Sequence, residues 1–122
     1  MATARPVDSN VLLDVLTDDA EWGRWSSDAL ARVADTGPLC INPVVYAEMS
    51  VRFSRIEDVE AALPATDLRR AAVPWEAASL AAKASVGRRR RRGPKMSPLR
   101  DFFIWAHAAV AGLVLLTRDA GR

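Results

Sequence analysis

The stretch RPVDSNVLLDVL, residues 5–16, decides the architecture. Residues 5–9 read as a short extended run that turns directly into a helix at Asn10, and VLLDVL supplies that helix with apolar side chains. A strand that feeds a helix without a loop is the opening half of a strand–helix–strand unit. Working outward, Asp18 or Asp19 can cap a second helix over 20–35, with Trp22, Trp25, Ala29 and Val33 along one face. Thr36-Gly37-Pro38 stops it, and LCI at 39–41 is a second strand. Asn42 as cap and Pro43 at the first position open a helix over 43–53 that carries Glu48. A short helix over 56–63 and a weak third strand over 67–73 follow. Pro74 then starts a helix that runs into five arginines before Gly93-Pro94 breaks it and 93–98 form a loop. Asp101 begins a helix to Ala111, which Gly112 stops, and LVLLT at 113–117 reads as a strand buried on both faces. Strands alternating with helices predict an α/β fold with a parallel central sheet.

The chain has 122 residues, half of them apolar, which suffices for a core and points to a single domain over 1–122. No apolar run reaches membrane-spanning length, and the start lacks a signal-peptide h-region, so a cytoplasmic protein with no membrane contact is expected. Cys40 lies in an apolar strand and reads as buried filler, and one Cys with one His argues against a zinc site. The formal net charge is only +2, yet it is unevenly placed. Every charged residue from Lys83 to Arg100 is basic, and Asp101 follows directly. Arg88, Arg89, Arg90, Arg91, Arg92 and Lys95 are therefore candidates for holding the phosphates of a polyanion such as RNA. A solvated basic loop is the plainer alternative.

Four acids sit at punctuation points: Asp8 after the first strand, Glu48 in a helix, Asp101 at a helix start and Asp119 after the last apolar run. Such positions gather at one edge of an α/β sheet. Crowded carboxylates repel one another unless a cation sits between them, and oxygen donors suit Mg²⁺ or Mn²⁺. Each acid also has a structural reading, as a cap, a dipole partner, a turn residue or a solvated helix residue. Their joint placement favours the metal. Asp14, one turn beyond Asn10, is expected to face solvent. His107 shares a helical face with Phe103 and Val110 and reads as a core or interface histidine rather than a general base. The Trp22/Trp25 stripe suits either the core or a partner groove.

Taken in order, VDSNVLLDVL, INPVVYAEMS, SPLRDFFIWAHA and LLTRDA resemble the PIN-domain ribonucleases of the VapC toxin type over nearly the whole chain. The resemblance implies a three-layer α/β/α sandwich, a Mg²⁺-dependent endoribonuclease and an antitoxin partner; a homodimer is expected separately, because the apolar run 113–117 would leave an unpaired sheet edge. It places the catalytic acids at Asp8, Glu48, Asp101 and Asp119, with metal ligation by Asp8, Asp101 and Asp119. Ser9, Asn10 and Thr117 would hydrogen-bond and orient those carboxylates. Trp22 and Trp25 would contact the antitoxin. Three features depart from the family pattern: Arg100 before Asp101, Trp105, and an end soon after TRD. The family's C-terminal strand is thus expected to be missing and the domain truncated. Water attack on phosphorus would leave a 5′-phosphate and a 3′-hydroxyl. Two other readings follow from the same residues: a catalytically impaired module that sequesters an antitoxin, and a metal-dependent phosphatase of small substrates, which the absence of a Gly-rich phosphate loop disfavours.

Overall fold

A computed structural model describes residues 3–92 and 99–118, with residues 88–92 described by their helical backbone alone. Lys95 and Asp119 lie outside the described residues. The elements are β1 (Arg5–Pro6), α1 (Ser9–Leu16), α2 (Gly23–Thr36), β2 (Leu39–Ile41), α3 (Pro43–Ser50), α4 (Ile56–Ala62), β3 (Leu68–Arg70), α5 (Trp75–Arg92) and α6 (Leu99–Ala111). The strands form a parallel sheet in the order β1-β2-β3, registered by Pro6↔Cys40 and Cys40↔Arg69. Parallel neighbours need long crossovers, and helix pairs supply them: α1–α2 between β1 and β2, α3–α4 between β2 and β3. The result is the expected α/β/α sandwich.

On its other side β1 meets the end of the described chain. Val7 and Leu116 form a parallel bridge, with Leu116 N donating to Pro6 O at 2.8 Å and Asp8 N donating to Leu116 O at 2.9 Å. The chain therefore runs outward through β1, β2 and β3, then returns through α5 and α6 to lie on the opposite side of β1. That reversal is a topological switch point, where α/β sheets open a crevice at the carboxyl ends of their strands. Asp8 and Thr117 are the residues that leave those two carboxyl ends.

The expected strand over 113–117 is corrected: among the described residues it is a single bridge at Leu116. The helix stop consumes its first part. Gly112 adopts φ +68°, and Leu113 N donates back to Ala108 O at 2.8 Å, the Schellman closure that glycine permits. Val114 is 69% exposed, so the run is not buried on both faces. The second helix also starts later than expected. Asp19 Oδ2 accepts from the backbone of Glu21 at 3.1 Å and Trp22 at 2.8 Å, holding 19–22 as a turn, and the helix begins at Gly23. A side chain at Gly23 would sit 3.4 Å from the carbonyl oxygen of Asp14, so glycine lets α2 start close against α1. The third helix ends at Ser50 instead of 53, and the third strand covers only 68–70.

The main core joins Val7, Val11, Ile41, Val45, Met49, Ile104 and Leu116. A second, smaller core of Ala77, Ala81 and Ala106 lets α5 approach α6, with Leu80, Phe103 and Trp105 around it. Helix α6 therefore straddles both cores, which fixes the helix that carries Asp101. Among the described residues no helix is long and apolar enough to cross a membrane. Cys40 is buried, and burial raises its thiol pKa, so it is an inert packing residue.

Candidate functional site

Asp8 sits where α1 begins, with the extended backbone of a helix cap (φ −72°, ψ 147°), yet its side chain makes no capping hydrogen bond. The carboxylate is committed elsewhere: Thr117 Oγ1 donates to Asp8 Oδ2 at 2.9 Å. Asp8 is buried at 5% exposure, so Thr117 fixes the rotamer of a largely desolvated acid at the switch point. Ser9, one residue on, reaches across to α3 and donates to Glu48 Oε1 at 3.1 Å. Two of the orienting residues expected from the sequence, Ser9 and Thr117, thus do contact the candidate acids. Among the described residues the Asn10 Oδ1 is buried without a hydrogen-bond partner.

Glu48 is held on its second oxygen by Arg100, whose Nε donates to Oε2 at 2.9 Å. Burial pushes the Glu48 carboxyl above its ordinary range, the bonds from Ser9 and Arg100 pull it back, and the negative charge of Asp101 pushes it up again. Asp101, in the first turn of α6, therefore acts electrostatically on Glu48 across the α3–α6 contact. Beside this pair lies an open cleft of about 750 Å³ lined by Leu13, Ala47, Glu48, Val51, Arg52 and Arg100.

Among the described residues no three acids, histidines or cysteines converge on one point. The structure brings Glu48 and Asp101 within electrostatic reach, and places Asp8 at the adjoining strand end. A partly desolvated carboxylate with a second negative charge nearby gains from a cation. The donors are all oxygen atoms, so the set fits Mg²⁺ or Mn²⁺.

Asp14 and Trp22 both have partners within the chain. Asp14 is buried at 3% exposure, against the expectation of a solvent position. Its Oδ2 accepts from Ser26 Oγ at 2.7 Å and from Arg118 Nε at 2.8 Å. The cue was available in VLLDVL: a lone acid inside an apolar helical run must be exposed or paired. Trp22 is engaged within the chain, since the Arg118 guanidinium lies 5.2 Å from its ring centroid, and Trp25 meets it edge-on at 5.9 Å. Trp25 remains 40% exposed. An apolar groove of about 350 Å³ lies farther along α1 and α2, with Leu12, Val15, Leu16, Leu30, Ala34 and Leu63 among its walls. Neither tryptophan lines it.

His107 is buried, as read from the sequence, and Asn42 Nδ2 lies 3.0 Å from its Nδ1. Asn42 Oδ1 accepts from Val45 N at 3.0 Å, which makes Asn42 the cap of α3. The amide nitrogen is thereby left to donate to His107, so the imidazole accepts at Nδ1 and carries its proton on Nε2. Burial lowers the His107 pKa. This pair ties the start of α3, which carries Glu48, to α6, which carries Asp101.

Known proteins give the fold a context. No curated protein matches the chain in sequence. Among solved structures, VapBC2 from Rickettsia felis, bound to a promoter DNA fragment, superposes with a TM-score of 0.71 at 13% identity, over 96% of this chain and 89% of that one. VapBC-1 from nontypeable Haemophilus influenzae gives 0.70 at 15% identity, over 96% and 87%. A toxin–antitoxin complex from Klebsiella pneumoniae gives 0.61 at 21% identity, over 97% and 88%. At these identities the likeness is one of fold. The sequence carries the family: the PIN-domain model matches residues 7–121, a span that takes in Asp8, Glu48, Asp101 and Asp119, and the chain belongs to the PIN-domain family.

Proposed function

We propose that this chain is a Mg²⁺- or Mn²⁺-dependent endoribonuclease acting as the toxin of a toxin–antitoxin pair. What supports the reading is Asp8 at the switch point, held by Thr117, together with its sequence neighbour Ser9 bonded to Glu48, whose carboxyl feels the charge of Asp101. PIN-fold neighbours that are VapBC and toxin–antitoxin complexes support the same assignment.

Bound among Asp8, Asp101 and Asp119, the divalent ion would acidify a water for in-line attack on phosphorus and draw charge from the phosphoryl oxygens. The chain's own residues do the rest. Thr117 keeps the Asp8 carboxylate in one rotamer. Ser9 keeps Glu48 in place, and Glu48, with its raised carboxyl pKa, accepts the proton from the attacking water. The new P–O bond forms as the bond to the 3′-oxygen breaks, and that oxygen takes up a proton. The products are a 5′-phosphate and a 3′-hydroxyl. Cleavage of an RNA panel with Mg²⁺, with Mn²⁺ and in chelator tests this, with the ends identified chemically. Metal-independent cleavage, or a 2′,3′-cyclic phosphate, would overturn it.

One observation favours the second reading, an impaired module that sequesters an antitoxin. Arg100 already neutralises Glu48 at 2.9 Å. A purified chain that binds its antitoxin but cuts no member of the RNA panel in either metal would establish that reading.

The helical backbone of α5 continues through Arg92, so the arginine run extends from a structured element. We assign Arg88, Arg89, Arg90, Arg91, Arg92 and Lys95 to RNA phosphates. Replacing the five arginines with glutamine should flatten the salt dependence of RNA binding. Each lost contact reduces the log–log slope by roughly 0.7 for a single strand. An unchanged slope would show that the run contacts solvent only.

For the antitoxin we assign an apolar helix seated in the groove beside α1 and α2, whose walls include Leu30, Ala31 and Ala34 of α2, with the exposed Trp25 outside the groove as a separate contact. Leu16, 43% exposed on the groove wall, gives a clean test. Leu16→Asp places a charge in the buried interface and should weaken antitoxin binding by over tenfold, without early melting. Trp25→Ala should weaken it less. Full affinity in a folded Leu16→Asp protein would move the interface elsewhere, and a larger loss from Trp25→Ala would centre it on the tryptophans.

A further inference from the structure

The last described segment is attached to the rest of the protein at three successive residues, each by a different chemistry. Leu116 is tied by backbone hydrogen bonds to Pro6 and Asp8, at 2.8 and 2.9 Å. Thr117 is tied by its hydroxyl to the Asp8 carboxylate, at 2.9 Å. Arg118 is tied by its guanidinium to the buried Asp14 carboxylate, at 2.8 Å, and lies over the Trp22 ring. Ser26 from α2 donates to the same Asp14 oxygen at 2.7 Å. Asp14 is thus a buried acid whose described partners are one arginine and one hydroxyl, and it lies a helical turn and a half beyond Asp8 on α1.

We infer that Asp14, through Arg118 and Trp22, is a positioning latch for the catalytic acids. It anchors the chain between Thr117, which orients Asp8, and Asp119, which follows Arg118 directly in sequence. This inference rests on the nuclease reading above. Core packing and a backbone bridge at Leu116 hold the chain but do not by themselves fix the residues that follow it, which have to hold a carboxylate rotamer. A buried charge pair with a guanidinium over an aromatic ring has a fixed geometry, and its removal takes away the one described contact made by the Arg118 side chain to α1. Arg118 meets both demands: its Nε reaches Asp14 while its guanidinium carbon lies over the Trp22 ring. Asp14 is a positioning residue that need touch neither metal nor RNA. It acts through Arg118.

Asp14→Asn is the informative substitution. It removes the buried charge, keeps an acceptor for Ser26 and leaves Arg118, 32% exposed, free to find water, so the fold should persist. Substituting Arg118 instead would strand a buried carboxylate, a costlier change. Two measurements on purified protein, one of them free of metal, test the latch. In metal-free buffer, amide exchange at Leu116 and Asp8 should speed up by at least tenfold in Asp14→Asn, while Val45 and Met49 in the core stay unchanged. Mn²⁺ affinity, read by electron paramagnetic resonance, should fall by about tenfold, as for loss of a residue that supports a metal ligand. Arg118→Lys, which keeps the charge but not the planar fork, should lie between the wild type and Asp14→Asn in both. Adding Asp14→Asn to Arg118→Lys should cost little more than Asp14→Asn alone, because the two share one interaction.

Unchanged exchange at Leu116 and Asp8 in a folded Asp14→Asn protein would overturn the latch. Faster exchange with unaltered Mn²⁺ affinity would overturn its role in the site and leave a structural ion pair. Failure of the wild type to bind Mn²⁺ would count against the nuclease reading instead, and the exchange measurement would still decide the latch.

Discussion

Asp8→Asn should abolish RNA cleavage and leave the protein folded. The side chain stays the same size, and Thr117 can still donate to the remaining amide oxygen. Asp8 forms no side-chain capping bond in this structure, so no cap is lost. What disappears is one negative charge at the switch point, in a site 5% exposed to solvent. Loss of a residue that merely supports a metal ligand costs about 10–100-fold. Loss of a ligand's charge should exceed that, so turnover should fall by at least ~10²-fold, with Mn²⁺ affinity falling in parallel. The melting temperature in metal-free buffer should stay within a few degrees of wild type. Circular dichroism, a cleavage assay and metal titration on one preparation check all three. Full metal-dependent activity in the folded variant would remove Asp8 from the site.

The sequence made Asp8 legible because two local signals coincide there, a strand end and a helix start. Asn42-Pro43 was legible for the same reason: cap chemistry and proline geometry act over neighbouring residues, and α3 begins where they place it. What was hidden depends on contacts distant in sequence. The bridge between Val7 and Leu116 joins segments at opposite ends of the chain, and no periodicity reports it. LVLLT looked like a full strand because its composition is that of one, while the Schellman closure at Gly112 and Leu113 had already taken its first residues. Asp14 looked solvent-exposed because Arg118 was invisible as its partner. Arg100 stood out as a departure from the family, but its bond to Glu48 required the fold. The candidate acids were therefore nameable from local pattern, whereas the residues that hold them in place were not, apart from Ser9 and Thr117, which adjoin them in sequence or in motif.

The second large effect is expected at Asn42, which does two jobs with one amide. Its oxygen caps α3 through Val45, and its nitrogen donates to His107 on α6. Asn42→Ala removes a cap, about 1 kcal/mol, and leaves a buried imidazole acceptor without its donor, about 1–3 kcal/mol more. A loss of about 2–4 kcal/mol should appear in urea unfolding. It should also loosen the spacing between the helices carrying Glu48 and Asp101. The pH dependence distinguishes this mechanism from simple loss of packing. Burial lowers the His107 pKa below its ordinary value of 6.5, so the folded protein binds fewer protons there than the unfolded chain. The His107 contribution to stability is therefore complete above about pH 6.5. It is lost as pH falls from there through the folded-state value. Asn42→Asp keeps the cap but replaces the donor with a carboxylate, which bonds best to an imidazolium and raises the His107 pKa. In that variant the sign reverses: the contribution is present below pH 6.5 and fades as pH rises through the new, higher value. Unfolding curves at pH 5.5 and 8 should thus move in opposite directions for wild type and Asn42→Asp, once His107→Gln has been used to subtract the other titrating groups. Parallel pH profiles in the two proteins would show that Asn42 does not hold the His107 tautomer, and that α3 and α6 are kept in register by apolar packing alone.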